Sequence, residues 1–183
     1  MRYPTDKNEI ISKFGYRKMS NKQDYHGGVD YVPIQKGVKG DPVHVIANGK
    51  VKHIGNDVDG WGRYVVVEHI EHCTLYCHLD QINVEDEQTV DEGHIIGLMG
   101  TTGHSTGVHL HFEVRKCHYS DFWVRWEDIT SDGNREFVHS IDPELFFLRF
   151  LDLEESTDVI ELVKENIEMK TTLDNINKLS ERN

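Results

Sequence analysis

The residues with the clearest chemical promise are histidines. His109 and His111 stand two apart within a run, Val108 to Val114, that reads as a strand. Strand side chains alternate between faces, so both imidazoles project from one side, about 6.5–7 Å apart along the chain. One can bind a metal while the other stands beside it. Far upstream, His26 and Asp30 flank Gly27, Gly28 and Val29. A Gly-Gly pair permits a tight path that aims an imidazole and a carboxylate at one point. His26, Asp30 and one of the paired histidines would supply three N/O ligands. Zinc with three protein ligands and an open fourth position is the catalytic arrangement. A strand His-x-His is also the mark of a polar sheet face, and His-x-x-x-Asp arises by chance, so spacing alone leaves both readings standing. His44, His53, His69, His72, His94, His118 and His139 read as surface or satisfied strand positions. His104 is set apart only by its place in the turn before His109. Other site signatures are missing: there is no His-Glu-x-x-His helix, no Gly-Lys-Ser/Thr phosphate loop, no Gly-x-Ser-x-Gly elbow and no cysteine pair at zinc-ribbon spacing.

Such residues need strands and turns to hold them, and from Phe14 to about Phe150 the sequence supplies them. Val43–Ala47 and Lys50–Ile54 flank Asn48-Gly49, the pattern of a hairpin with a type I′ turn. Tyr64–His69 is β-branched and continuous, Thr74–His78 follows after a short polar break, and His94–Met99 and Val108–Val114 complete the set. Glycines punctuate these runs, and no helical period competes before about residue 143. A mainly β, antiparallel domain is predicted over residues 1–150. Residues 117–139 read as an excursion holding Phe122, Trp123 and Trp126, with a turn at Asp132-Gly133. Its aromatics either line a groove or cover a sheet edge. From Leu151 to Asn183 Gly and Pro disappear. Val159, Asn166 and Leu173, and Leu162, Met169 and Ile176, repeat every seven residues. A C-terminal α-helix over 151–183 is predicted, either paired with a second chain as a coiled coil or packed on its own domain.

Composition narrows the partners. At 183 residues and 37% hydrophobic, the chain can bury one ordinary core plus a short appendage. Lys and Arg total 20 against 32 Asp and Glu, a formal charge of −12, which argues against a nucleic-acid partner. No apolar run reaches the roughly 18–20 residues of a membrane span. Met1 to Lys7 carries no apolar h-region, so a secretory signal is not expected. The three cysteines, Cys73, Cys77 and Cys117, form no disulfide framework. Cys73 and Cys77 lie in one strand, where four residues span about 13 Å. A disulfide needs Cα atoms within about 7 Å. Free thiols suit a reducing compartment.

Taken in order, these segments resemble the lysostaphin-type zinc metalloendopeptidases, which cut peptides of bacterial peptidoglycan. The resemblance is carried by Phe14-Gly15-Tyr16-Arg17, His26-Gly27-Gly28-Val29-Asp30, Ala47-Asn48-Gly49-Lys50-Val51, Gly62–Val67, Tyr76-Cys77-His78-Leu79, Gly97-Leu98-Met99-Gly100 and Thr102–Glu113, with Asp142-Pro143 resembling the family's usual end. It implies the family's antiparallel fold, of the duplicated-hybrid-motif type. It further implies that His26, Asp30 and His111 bind one Zn2+, and that His78 and His109 are the two catalytic histidines that do not. Every one of these positions is filled, so the resemblance favours an active endopeptidase over a scaffold that has lost ligands.

The excursion is longer than a minimal family domain needs, and no cell-wall-targeting module is recognisable. The expected substrate lies outside the cytoplasmic membrane, while the sequence reads as made in the host cytoplasm. A phage lysin released at lysis, or a virion-associated hydrolase held by the 151–183 helix, reconciles the two. The alternatives are a non-enzymatic phage tail or adaptor module with a vestigial or structural zinc site, and a zinc hydrolase acting on a glycine-rich protein.

Overall fold

In the computed structural model, residues 1–19, 22–116, 118–122 and 139–150 are described. The chain divides after Phe147, and the unit Met1–Phe147 contains every strand found among the described residues. The predicted 151–183 helix and the Trp123, Trp126 and Asp132-Gly133 portion of the excursion lie outside the described residues.

The strands in chain order are β1 (Ile10–Ser12), β2 (Gly15–Met19), β3 (Lys22–His26), β4 (Val29–Tyr31), β5 (Pro42–His44), β6 (Gly49–Asp57), β7 (Gly62–Glu68), β8 (Cys73–Cys77), β9 (Leu79–Ile82), β10 (Thr89–Val90), β11 (Ile95–Met99), β12 (Leu110–Arg115) and β13 (Ser140–Ile141). Among the described residues, a 3-10 turn, Tyr119–Asp121, and one helix, α1 (Pro143–Phe150), accompany them. The large sheet runs β1-β4-β12-β8-β7-β6-β10, with β13 added beside β12. Smaller sheets are β5-β11-β9 and the β2-β3 hairpin. Every pairing is antiparallel, as the alternating patterns predict.

The centre of the large sheet sorts its side chains by the period of two. Along β12, Leu110, Phe112 and Val114 are fully buried. Phe112 packs on Tyr31, Tyr76 and Phe147, with ring centroids 5.2–6.4 Å apart. Burying such a side chain stabilises by about 1.5–3 kcal/mol. The alternate positions, His109, His111, Glu113 and Arg115, take the other face. Directly opposed residues share a face. His111 therefore lies beside Asp30 of β4 and Cys77 of β8, Glu113 beside Leu75, and Arg115 beside Cys73. That face continues as a buried cluster of Tyr64, Val66, Cys73, Leu75 and Cys77, closed by Phe122 from the start of the excursion. Of the excursion's aromatics, Phe122 is thus core on a sheet face, neither groove wall nor edge cover. Cys73 and Cys77 are both fully buried in this cluster.

One local prediction fails. Val43–Ala47 and Lys50–Ile54 do not form a hairpin: β5 pairs with β11, and β6 pairs with β7 and β10. Neither Asn48 nor Gly49 has the positive φ that a type I′ turn requires. Gly49 is needed for contact instead, because a Cβ there would stand 2.6 Å from the Glu68 carbonyl oxygen. Asn48 is held by tertiary bonds: its carbonyl accepts from His69 Nδ1 at 2.9 Å, and its Oδ1 accepts from the Glu92 N–H at 2.8 Å. Burial of Val43, Val45 and Ile46 in place outweighs the local turn preference.

Candidate active site

The sheet register assembles the first half of the site. β12 pairs with β4 so that His111 faces Asp30. His26 ends β3, and the chain returns to β4 through Gly27 and Gly28. At Gly28 the chain runs against β12 so closely that a Cβ would lie 2.2 Å from the Phe112 carbonyl oxygen. Only glycine permits this approach. His26, Asp30 and His111 consequently converge. His26 Nε2 is 2.9 Å from His111 Nδ1 and 3.2 Å from Asp30 Oδ1, and His111 Nδ1 is 3.0 Å from Asp30 Oδ1.

Neighbouring acceptors orient both rings. His26 Nδ1 lies 2.8 Å from the Lys13 carbonyl oxygen, so it is the protonated nitrogen and Nε2 is left as the donor pair. His111 Nε2 lies 3.0 Å from Glu113 Oε1 and donates to it, which turns Nδ1 inward. Two nitrogen lone pairs and a carboxylate oxygen then aim at one point, an arrangement that needs a cation. Burial opposes charge on His111, but hydrogen bonds to Asp30 and Glu113 outweigh it and raise the imidazole to about 9. Burial would raise the Asp30 carboxyl too, but His111 and His26 reverse this and hold it well below the usual carboxylate range. A tetrahedral ion with bonds of about 2.0–2.1 Å spaces its ligand atoms roughly 3.3 Å apart. The three separations fit such an ion, and the N, N, O donor set suits zinc.

Two further imidazoles flank the triad. His78 lies between β8 and β9 with φ 61°, a strained value for a residue with a side chain. Its backbone N–H donates to the Trp61 carbonyl and its Nδ1 donates to the Thr102 carbonyl, each at 2.8 Å. His109 Nδ1 donates to the Gly107 carbonyl at 2.8 Å, and its Nε2 lies 3.8 Å from Asp30 Oδ1. The two rings are 4.6 Å apart between centroids, and His78 is 6.1 Å from His111. With Nδ1 occupied in both, each Nε2 offers a lone pair. Burial, then the nearby His109 ring, pushes His78 down to about 4, so it stands neutral near pH 7.

All five residues singled out in the sequence therefore meet in one place. The alternative reading of His109 and His111 as a mere polar sheet face does not account for His26, Asp30 and His78 gathering there. His104 is exposed on its turn. Sequence reasoning gave no role to Glu113 or Arg115. The signal was available: polar residues at 109, 111, 113 and 115 alternate with Leu110, Phe112 and Val114, which places all four on one face.

A model described as peptidase family M23 matches residues 24–122, more than half of the chain, and the chain belongs to that family. Among solved structures, it is 40% identical to a zinc-containing peptidase from Vibrio cholerae, with a TM-score of 0.55, covering 61% of this chain and 35% of that one. The catalytic domain of the antimicrobial peptidase lysostaphin from Staphylococcus simulans is 26% identical, with a TM-score of 0.58, over 75% of this chain and 90% of that one. Among curated proteins, the murein hydrolase activator NlpD of Salmonella dublin is 35% identical over 115 residues, 62% of this chain and 28% of that protein. The peptidoglycan DD-endopeptidase ShyB of Vibrio cholerae is 39% identical over 120 residues, 62% of this chain and 27% of that protein. The chain thus spans little more than a quarter of the length of these two curated relatives.

Proposed function

We propose that this protein is a zinc-dependent endopeptidase that hydrolyses peptide bonds in bacterial peptidoglycan, in a cross-bridge or a stem peptide. The observation that carries the reading is the convergence of His26 Nε2, Asp30 Oδ1 and His111 Nδ1 beside two more imidazoles with free Nε2 lone pairs. The relatives that act on peptidoglycan support the substrate class.

His26, Asp30 and His111 are the ligands in this reading. Zinc held there would polarise a substrate carbonyl and acidify water. The chain's own residues do the rest. Asp30 lowers the net charge of the centre. His78 and His109 face it with their Nε2 atoms. One takes the proton of the attacking water and returns it to the leaving amine, and the other, when it carries a proton on Nε2, hydrogen-bonds the developing oxyanion. Backbone carbonyls fix both rings in advance, so no reorientation is needed when substrate arrives.

The decisive experiment adds purified protein to purified peptidoglycan and analyses the fragments by mass spectrometry. New amino termini at one type of peptide bond, lost with a chelator and regained with zinc, are expected. The relative named as an activator favours a second reading, a non-catalytic module that binds zinc without turnover. One zinc per chain with intact peptidoglycan would select it.

The finer assignment is to a phage lysin or a virion-associated hydrolase, made in the host cytoplasm and acting after lysis or from the particle. It is supported by the placement of Cys73 and Cys77 four residues apart in the one strand β8, beyond the reach of a mutual disulfide. Detection of the chain in purified particles, or in host cytoplasm until lysis, tests it. Pairing through residues 151–183 would give a dimer mass by light scattering.

A further inference from the structure

Glu113 and Arg115 are among the most deeply buried charged side chains of the described residues, at 2% and 1% side-chain exposure. Glu113 Oε1 accepts from His111 Nε2 at 3.0 Å. Its other oxygen, Oε2, accepts from Arg115 Nε at 2.9 Å and from Nη2 at 2.6 Å. Arg115 Nη1 donates to the Phe122 carbonyl oxygen at 2.6 Å, and the Phe122 ring covers the guanidinium with 4.3 Å from Cζ to centroid. Trp61 lies on it at 5.8 Å. Both carboxylate oxygens and the whole planar fork are engaged, so neither side chain can rotate without leaving a buried charge unpaired. A buried ion pair is weak evidence for stability, since apolar residues of similar volume often do as well. Its position in the fold gives it another use.

From this geometry we infer that Glu113 and Arg115 are positioning residues of the metal centre. Arg115, braced by Phe122, clamps Glu113, and Glu113 holds the Nε2 proton of His111 so that Nδ1 turns toward Asp30 and His26. The inference rests on the zinc reading above, but it concerns affinity for the ion rather than the reaction. It also gives the first residues of the excursion a role, since the Phe122 carbonyl is the far anchor of a line that ends at the metal. Outer-shell partners of this kind are typically worth 10–100-fold in metal affinity.

The test measures zinc affinity by competition with a chromogenic chelator. In Glu113→Leu/Arg115→Met both charges leave together, so the fold is expected to persist, checked by circular dichroism and melting of the metal-free protein. Zinc should nonetheless bind about 10–100-fold more weakly than to wild type. Glu113→Gln/Arg115→Met restores a neutral oxygen acceptor for His111 and should recover part of the loss. Equal zinc affinity in wild type and the Leu/Met variant overturns the inference. So does a metal-free Leu/Met variant that melts well below wild type with no recovery of zinc affinity by Gln, because a generic packing role then explains the loss. A third measurement needs no variant: nitrogen NMR of zinc-loaded wild type should show the His111 proton on Nε2, and a proton on Nδ1 overturns the inference. Wild type that takes up no zinc sinks both this inference and the endopeptidase reading, whereas unaffected variants sink the positioning role alone.

Discussion

At the scale of single residues, the proposed function separates side chains that would hold an ion from side chains that would react. His26, Asp30 and His111 touch one another at 2.9–3.2 Å, whereas the His78 and His109 rings face that cluster from the side. Substitutions should separate the same way. Asp30→Ala should lower zinc affinity and activity together, because it removes the one carboxylate of the His26, Asp30 and His111 cluster. His109→Ala should reduce peptide-bond cleavage by at least about 100-fold, the usual worth of a proton-transfer group. Its bound zinc, read by metal analysis, should stay near one per chain. Wall lysis by His109→Ala at the wild-type rate would remove His109 from the reaction. His26, Asp30, His109 and His111 were legible as candidates because metal chemistry restricts the choice of side chain, whereas His78 was reached only through the resemblance of Tyr76-Cys77-His78-Leu79 to the family. Glu113 and Arg115 were not read, because a carboxylate and a guanidinium on a strand are ordinary until the fold reveals that both are buried.

At the scale of elements, register is the organising quantity. β4 and β12 set Asp30 opposite His111, and Gly28 lets the preceding bend approach β12. Gly28→Ala should push the bend away from Phe112, destabilise the fold by about 1–3 kcal/mol, and weaken zinc binding even though no ligand has changed. Denaturant melts and a zinc titration would check both halves. Strand existence was readable from periodicity, and β7, β8, β11 and β12 emerge close to where alternation placed them. The partner of each strand was less readable. Asn48-Gly49 carries a strong local turn preference, yet Asn48 is engaged by His69 and Glu92 and Gly49 by the approach of Glu68. Local chemistry knows nothing of such distant neighbours.

The β7–β8 connection yields a test of its own. His69 and His72 stack with centroids 4.5 Å apart, and Phe146 closes on His72 at 4.8 Å. The buried His72 Nε2 has no hydrogen-bond partner. Burial, then the neighbouring His69, pushes His72 down to about 4 from its ordinary 6.5, and burial lowers His69 as well. The folded state therefore refuses protons that the unfolded chain accepts below about pH 6.5. Stability from this pair is present above that pH and drains away as pH falls toward 4. His72→Phe should melt higher than wild type at pH 5, with a smaller gap at pH 7.5. An equal gap at both values would refute the titration.

At the scale of the molecule, an ion held by His26, Asp30 and His111 would tie β3, β4 and β12 together, so binding should stabilise the whole unit. An ion held only by the folded form contributes about 4 kcal/mol at a thousandfold excess over Kd, enough to raise the melting temperature by several degrees. A chelator should reverse the rise, and Asp30→Ala should abolish it. No helix among the described residues is long and apolar enough to cross a membrane. The strict alternation along β12 has one more outcome. Sliding that strand by a single residue would drive charges into the hydrocarbon interior and leave Leu110, Phe112 and Val114 where the imidazoles belong. Misregistered folding thus has no inert product: the chain either assembles core and metal centre in one stroke or obtains neither. Deletion scanning should find β12 intolerant of frame changes that the surface turns absorb.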